Sequence, residues 1–241
     1  MSVLSPERSQ DNWARFAGLM YFFTVFDVSG VLIIARVSGN GSFLATAHTV
    51  AGSETLYRIG LVLGLIGALS TILLAVGLYV TLRPFDRNLA MTALLFRLGE
   101  SVIGGVVIVL GFVTLQIYLE AGRDGAAGAS RLSELGGLVS GASVVGTNVS
   151  VIFFGVGSTL FFYLLVRSAY IPRLLAMWGL IGSIICFIAF LATFVIPQSR
   201  ELLTGIGGLP VGLAEPVVGA WLLIRGIGGT RRAGRLRPLA G

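Results

Sequence analysis

Charge is what this sequence has least of. Of its 241 residues, 12% are charged, about half the share of an ordinary soluble domain. Lysine is absent. All 17 basic residues are Arg, so the formal net charge of +6 does not change across physiological pH. The one cysteine, Cys186, lies in an apolar run, which excludes an intrachain disulfide and leaves the redox compartment unread. The one histidine is His48. With one His, one Cys and no acidic cluster, a zinc site of the usual nitrogen and sulfur ligands is excluded, and a Ser–His triad has only an outer-loop His to use. An intramembrane aspartyl protease needs two membrane aspartates, and only Asp27 qualifies. No His-Glu-x-x-His pair, Walker loop or prenylation box occurs. No cofactor is expected, and an enzyme is less expected than a non-catalytic protein.

What the chain has instead is hydrocarbon. It is 55% apolar with 34 glycines, and its mean hydropathy is +0.92. A membrane-spanning helix needs about 20 mostly apolar residues. Six such runs occur, near 16–35, 59–82, 89–118, 144–166, 174–195 and 206–225. The sixth is the weakest, being Gly-rich and carrying Pro210, Glu215 and Pro216, so five or seven spans are the alternatives. The expectation is an all-α, polytopic integral membrane bundle. Residues 1–15 are read as a cytoplasmic segment, 16–225 as one transmembrane domain and 226–241 as a basic tail. The first span is read as an uncleaved helix, since polar residues including Glu7 and Asp11 precede it and no small-x-small pattern follows Ala35.

Arginine sets the orientation. Counting the termini and the 83–88 and 167–173 turns gives eleven Arg on one side, against five in the loops near 36–58, 120–143 and 196–205. The bias predicts both termini in the cytoplasm, in a plasma (inner) membrane. Nucleic acid is not an expected partner, because the Arg residues alternate with hydrophobic spans instead of forming one patch. The lipid bilayer is the expected partner, with the Arg cluster at 231–237 either engaging anionic lipid or serving as an orientation anchor. Residues 130–140 are read as a candidate interfacial helix.

Small residues one turn apart, Gly60/Gly64, Gly137/Gly141, Gly179/Ser183 and Gly208/Gly212, let helix backbones approach closely. They suit close packing within the bundle, a homo-oligomer, or contact with a partner membrane protein. An internal echo links Tyr79-x3-Arg83 and Tyr163-x3-Arg167, each followed by Arg-x-Leu-Ala-Met at 87–91 and 173–177. It fits either a repeat of helix pairs or the interfacial Tyr and inward Arg that any such turn attracts.

Ionisable residues inside spans are costly in hydrocarbon and are functional candidates by default. They are Asp27, Arg97, Glu100 and Glu215. Arg97 and Glu100, three apart, share a helix face; the alternative is an Arg97 that snorkels to the interface. Three carboxylates against one guanidinium leave an excess of negative charge, to be met by protons, cations or polar neighbours. Asn148, Thr147 and Ser150 on the fourth span are candidate neighbours, with Asn148 the fifth candidate site residue. Asn148-Val-Ser is also a glycosylation pattern, discounted because it lies in or beside a span. Pro216 frees the carbonyl of Gly212, which points to an opened helix beside Glu215. The Phe153–Phe154 and Phe161–Tyr163 runs read as lipid-facing or packed aromatics.

Four motifs occur in order: Arg15-x-Ala-Gly-Leu-x-Tyr21; Leu78-Tyr-Val-x-Leu-Arg-Pro84 leading to Phe96-Arg-Leu-x-Glu100; Phe153-Phe-Gly155 leading to Arg167-Ser-x-Tyr-Ile-Pro-Arg-Leu174; and Glu215-x5-Trp221-Leu-Leu-Ile-Arg-Gly226. Over roughly residues 14 to 226 the chain resembles the bacterial membrane family known as domain of unknown function 4386. The resemblance implies a multi-helix membrane protein, and its motif positions coincide with Arg97, Glu100 and Glu215. It implies no activity or substrate. From the ionisable residues inside spans, the expectation is a multi-pass membrane protein of uncharacterised function, read as a small proton- or cation-coupled carrier or alternatively as a non-catalytic membrane subunit or scaffold.

Overall fold

Long apolar runs with few helix breakers leave the backbone one way to satisfy its hydrogen bonds in lipid, and the chain takes it. The computed structural model describes residues 6–124 and 129–227. These form eight α-helices, α1 (Pro6–Phe23), α2 (Val25–Ser38), α3 (Phe43–Gly52), α4 (Glu54–Leu82), α5 (Arg87–Asp124), α6 (Ala129–Ser168), α7 (Arg173–Val195) and α8 (Arg200–Arg225), with a 3-10 turn at Pro197–Ser199 before α8. No strand occurs among the described residues. Six spans are long and apolar enough to cross a membrane, the first made of α1 and α2 together. The protein is thus an all-α polytopic membrane protein.

Three features differ from the sequence reading. The expected outer loops are largely helix. α3 fills the 36–58 connection, and α5 and α6 run on through most of 120–143. At 38 and 40 residues these two helices are about 57 and 60 Å long, twice a bilayer core. Residues 130–140 are accordingly the first turns of α6, not a separate interfacial helix. The helix break falls at Thr24, in the first span, whereas α8 stays helical through Pro210 and Pro216. The Arg cluster at 231–237 lies outside the described residues.

The chain divides into two compact units, one of residues 1–23, 70–100 and 150–241, the other of 24–69 and 101–149. The first unit has a core of Leu74, Leu78, Leu82, Phe161, Phe162, Leu164, Leu165, Val218 and Leu222. In it, Gly18 of α1 lies against the backbone of Leu223 and Gly219 on α8, and Gly182 of α7 against Pro210 and Val211. The ends of α1 and α8 are tied. Arg15 binds Asp11 at 2.9 Å and donates to the carbonyls of Leu223 and Ile224, the open end of α8. Asp11 also accepts from the N–H of Ile227 at 2.9 Å. Gly226 makes this turn at φ +59°, with the Asp11 carboxylate filling the place of a side chain. The second unit has a smaller core of Val37, Val50, Tyr57, Leu61, Leu115 and Leu119. There Gly30 of α2 crosses α4 at Gly60 and Gly64.

Not every glycine pair serves packing. Gly60/Gly64 and Gly179/Ser183 sit at contacts, Gly179 under the Phe162 ring with Ser183 buried. Gly137, Gly141, Gly208 and Gly212 have open space where a side chain would stand. A matched pair of substitutions separates these cases. On Gly18, a methyl would lie 2.5 Å from the backbone N of Leu223, so α1 and α8 must part. Gly18→Ala is expected to lower stability by about 1–3 kcal/mol, whereas Gly208→Ala is neutral or gains up to about 1 kcal/mol of helix propensity. Thermal unfolding in detergent compares them, and equal effects would refute the packing assignment.

Candidate functional site

A guanidinium cannot shed its charge in hydrocarbon, so its partners must come to it. Arg97 stands on α5, ten residues or about 15 Å from the helix start at Arg87. It is 2% exposed, which excludes snorkelling. Its Nη1 lies 3.1 Å from Glu100 Oε2, one turn on along the same helix. The same nitrogen lies 3.9 Å from Glu215 Oε1 on α8 and donates to Ser158 Oγ on α6 at 3.2 Å. Ser158 Oγ in turn donates to Glu215 Oε1 at 3.4 Å. The Phe154 ring supports the guanidinium from one face, 4.7 Å from ring centre to Cζ.

Glycine gives this cluster its room. A Cβ on Gly157 would stand 2.9 Å from Arg97 Cγ, so the arginine stem lies flat along α6. Gly99 similarly receives Phe153, whose ring also packs on Phe96 at 5.7 Å. Ser150, one of the expected carboxylate partners, donates instead to the backbone carbonyl of Glu100 at 2.9 Å. Thr147 bonds back to Ser143.

Depth follows from helix position. Glu100 is 13 residues from the start of α5, while Glu215 and Ser158 are each ten residues from the ends of α8 and α6. At 1.5 Å per residue, all lie about 15–20 Å from the end of the unit that bears the 83–86 and 169–172 turns, near the middle of a 30 Å core. The carboxylates are nearly enclosed, with side-chain exposures of 17% for Glu100 and 13% for Glu215. Buried Tyr21 of α1 and buried Cys186 of α7 lie within electrostatic range of both acids.

The structure thus brings together three of the five candidates. Asp27 and Asn148 belong to the second unit. Asp27 presses its backbone and Cβ onto Gly67, with Oδ1 over Gly64, and is exposed on its other side. Asn148 is buried on α6. Ser158, Phe154, Gly157, Tyr21 and Cys186 were not singled out as site residues. Tyr21 and the Phe153-Phe-Gly155 run do sit in the family motifs, which was the available signal. Among the described residues, no group of His, Cys, Asp and Glu is placed to hold a metal ion.

Fold and site together define an integral membrane protein of six apolar spans with a charged cluster buried in its first unit. The chain belongs to the family described as Domain of unknown function (DUF4386), whose model matches residues 16–226. No curated protein and no solved structure matches it.

Removing the guanidinium strands two enclosed acids, whereas removing the serine removes one hydrogen-bonded link. Arg97→Leu is expected to cost about 3–5 kcal/mol and Ser158→Ala about 1 kcal/mol. Adding Glu215→Leu to Arg97→Leu is expected to recover part of the loss. Denaturation in detergent measures all three, and a double variant no better than Arg97→Leu would show that Glu215 and Arg97 do not interact.

Proposed function

We propose that this protein is a small carrier of the bacterial plasma (inner) membrane, coupled to a proton or a monovalent cation, with both termini in the cytoplasm. The observation that carries the proposal is the charge imbalance of the cluster. Two carboxylates share one guanidinium, so a single negative charge in excess must be met by a proton or cation whenever the cluster is closed from water. Glu215 is the exchanging group. It is the looser of the two acids, 3.9 Å from Arg97 against 3.1 Å for Glu100. Arg97 acts as the fixed counter-charge, and Ser158 links it to Glu215. Asp27 and Asn148 are assigned no step. The even span number and the tie between Asp11 and Ile227 support termini on one side, and the excess of Arg at that side supports the cytoplasm. The bilayer is the partner, with anionic lipid engaging the Arg-rich tail.

A second reading, a non-catalytic subunit or scaffold, is favoured by one observation. Gly205, Gly208 and Gly212 of α8 and Gly137 and Gly141 of α6 have open space beside them, suited to a second copy or a partner helix.

The readings separate in one experiment. Thermal stability of the detergent-purified protein is measured across pH and in NaCl, KCl and LiCl at equal ionic strength, for wild type, Glu215→Gln and Glu100→Gln. A carrier site gives wild type a midpoint that moves with pH or with one cation, and Glu215→Gln abolishes that movement. Flat, superimposable profiles in all three proteins would overturn the carrier reading. Cys186 adds an independent readout. If the cluster opens to water during exchange, a polar maleimide labels this single cysteine in wild type, and the coupling ion changes the labelling rate.

A further inference from the structure

Three helices of the first unit, α4, α6 and α8, finish at the same end of it, each on the same device. An aromatic side chain is followed four residues later by an arginine whose guanidinium lies over its ring: Arg83 over Tyr79 at 5.9 Å, Arg167 over Tyr163 at 5.7 Å and Arg225 over Trp221 at 5.9 Å. Arg167 also lies 5.5 Å from the Phe85 ring, which joins the 83–86 turn to the end of α6. A guanidinium held beside a ring keeps its N–H donors available, and those donors match a phosphate.

The two turns carrying this device are built, not loose. Gln10 of α1 donates to the Thr81 carbonyl and to the Tyr170 hydroxyl, tying α4 and the 169–172 turn to one helix. Tyr170 and Ile171 are buried, and Ala169 is held at φ +53°, a left-handed conformation rare for alanine. Four arginines, Arg83, Arg87, Arg167 and Arg173, are exposed there. The one acid in these turns, Asp86, is occupied in accepting the Leu89 N–H at the start of α5. The ends of the flanking apolar spans place these guanidinia at the membrane boundary, where the available phosphate is that of a lipid.

The geometry points to a binding site for the headgroup phosphate of an anionic phospholipid at the paired turns 83–87 and 167–173. The occupant is a lipid of the surrounding leaflet, held by Arg83, Arg167 and Arg173 with its acyl chains along the apolar faces of α6 and α7. This site is independent of the carboxylate cluster.

The chain provides its own reporter. Its three tryptophans, Trp13, Trp178 and Trp221, all lie within about two turns of this end of α1, α7 and α8, and no other tryptophan occurs. The protein is reconstituted into phosphatidylcholine vesicles containing phosphatidylglycerol, with bromine on the acyl chains of one lipid or the other, and tryptophan quenching gives their relative association. Wild type is expected to favour phosphatidylglycerol at least about fivefold, the contribution of one surface guanidinium. Arg83→Gln/Arg167→Gln/Arg173→Gln is expected to lower the ratio at least about fivefold, leaving only the preference that the unchanged Arg-rich tail gives both proteins. Arg123→Gln/Arg131→Gln/Arg200→Gln, of equal charge loss, is expected to keep the wild-type ratio. The proposal fails if the first triple variant keeps the wild-type ratio, or if the second lowers it equally, which would assign the effect to net charge. It also fails if inorganic phosphate abolishes the preference where chloride at the same ionic strength does not, which would assign the site to a free anion.

Discussion

Hydrocarbon supplies neither donors nor acceptors, and it gives helices no hydrophobic reason to meet. Backbone groups are therefore satisfied within each helix, which is why the described residues are almost all helical. Cohesion then comes from contact at short range, and short range requires small residues. Gly18 on Gly219, Gly30 on Gly60 and Gly155 on Phe187 are all places where a methyl group would collide with a neighbouring helix. The same constraint governs charge. An arginine enclosed in such a bundle stays ionised and recruits acids, a hydroxyl and an aromatic face, and those in turn fix how α5, α6 and α8 are placed in the first unit.

Packing and electrostatics are one arrangement here. Gly157 lets the Arg97 stem lie along α6, and that approach puts Ser158, the next residue, within 3.2 Å of the guanidinium. A larger residue at 157 would move the hydroxyl, and with it the hydrogen bond it gives the Glu215 carboxylate. The polar cluster thus depends on a residue with no polar atoms in its side chain.

The spans, the short Arg-bearing turns and the acids within spans were legible because each rests on local composition. Arg97 and Glu100 were pairable on helical spacing alone. Glu215 could be listed beside them but not joined to them, since the 3.9 Å contact spans more than a hundred residues of chain. Ser158 was illegible for a related reason: serines are common in this sequence, and only the crossing of α6 with α5 distinguishes it from Ser150, which reaches a carbonyl instead. The glycine pairs were half legible. Spacing marks a smooth face, but whether a helix lies on that face is a tertiary fact, and Gly208/Gly212 has none. The long extensions of α5 and α6 escaped because polar residues such as Glu120, Arg131 and Glu134 mark the end of hydrocarbon, not the end of a helix.

The two acids of the cluster sit on helices of different stiffness. α5 runs 38 residues without an internal proline, so Glu100 and Arg97 ride on one continuous ladder and keep their spacing. α8 carries Pro210 and Pro216 on either side of Glu215, and each removes an N–H and leaves the carbonyl four residues earlier, at Ile206 and Gly212, without its helical partner. A helix so weakened on both sides of one carboxylate bends there at less cost than anywhere along α5. The guanidinium and Glu100 are therefore the more rigidly held half of the cluster, and Glu215 the half whose displacement costs less. Separation of the two would lengthen the weaker 3.9 Å contact first and leave the 3.1 Å pair intact. A buried cation with one permanent and one detachable counter-charge is an arrangement in which movement of a single helix changes the local charge balance.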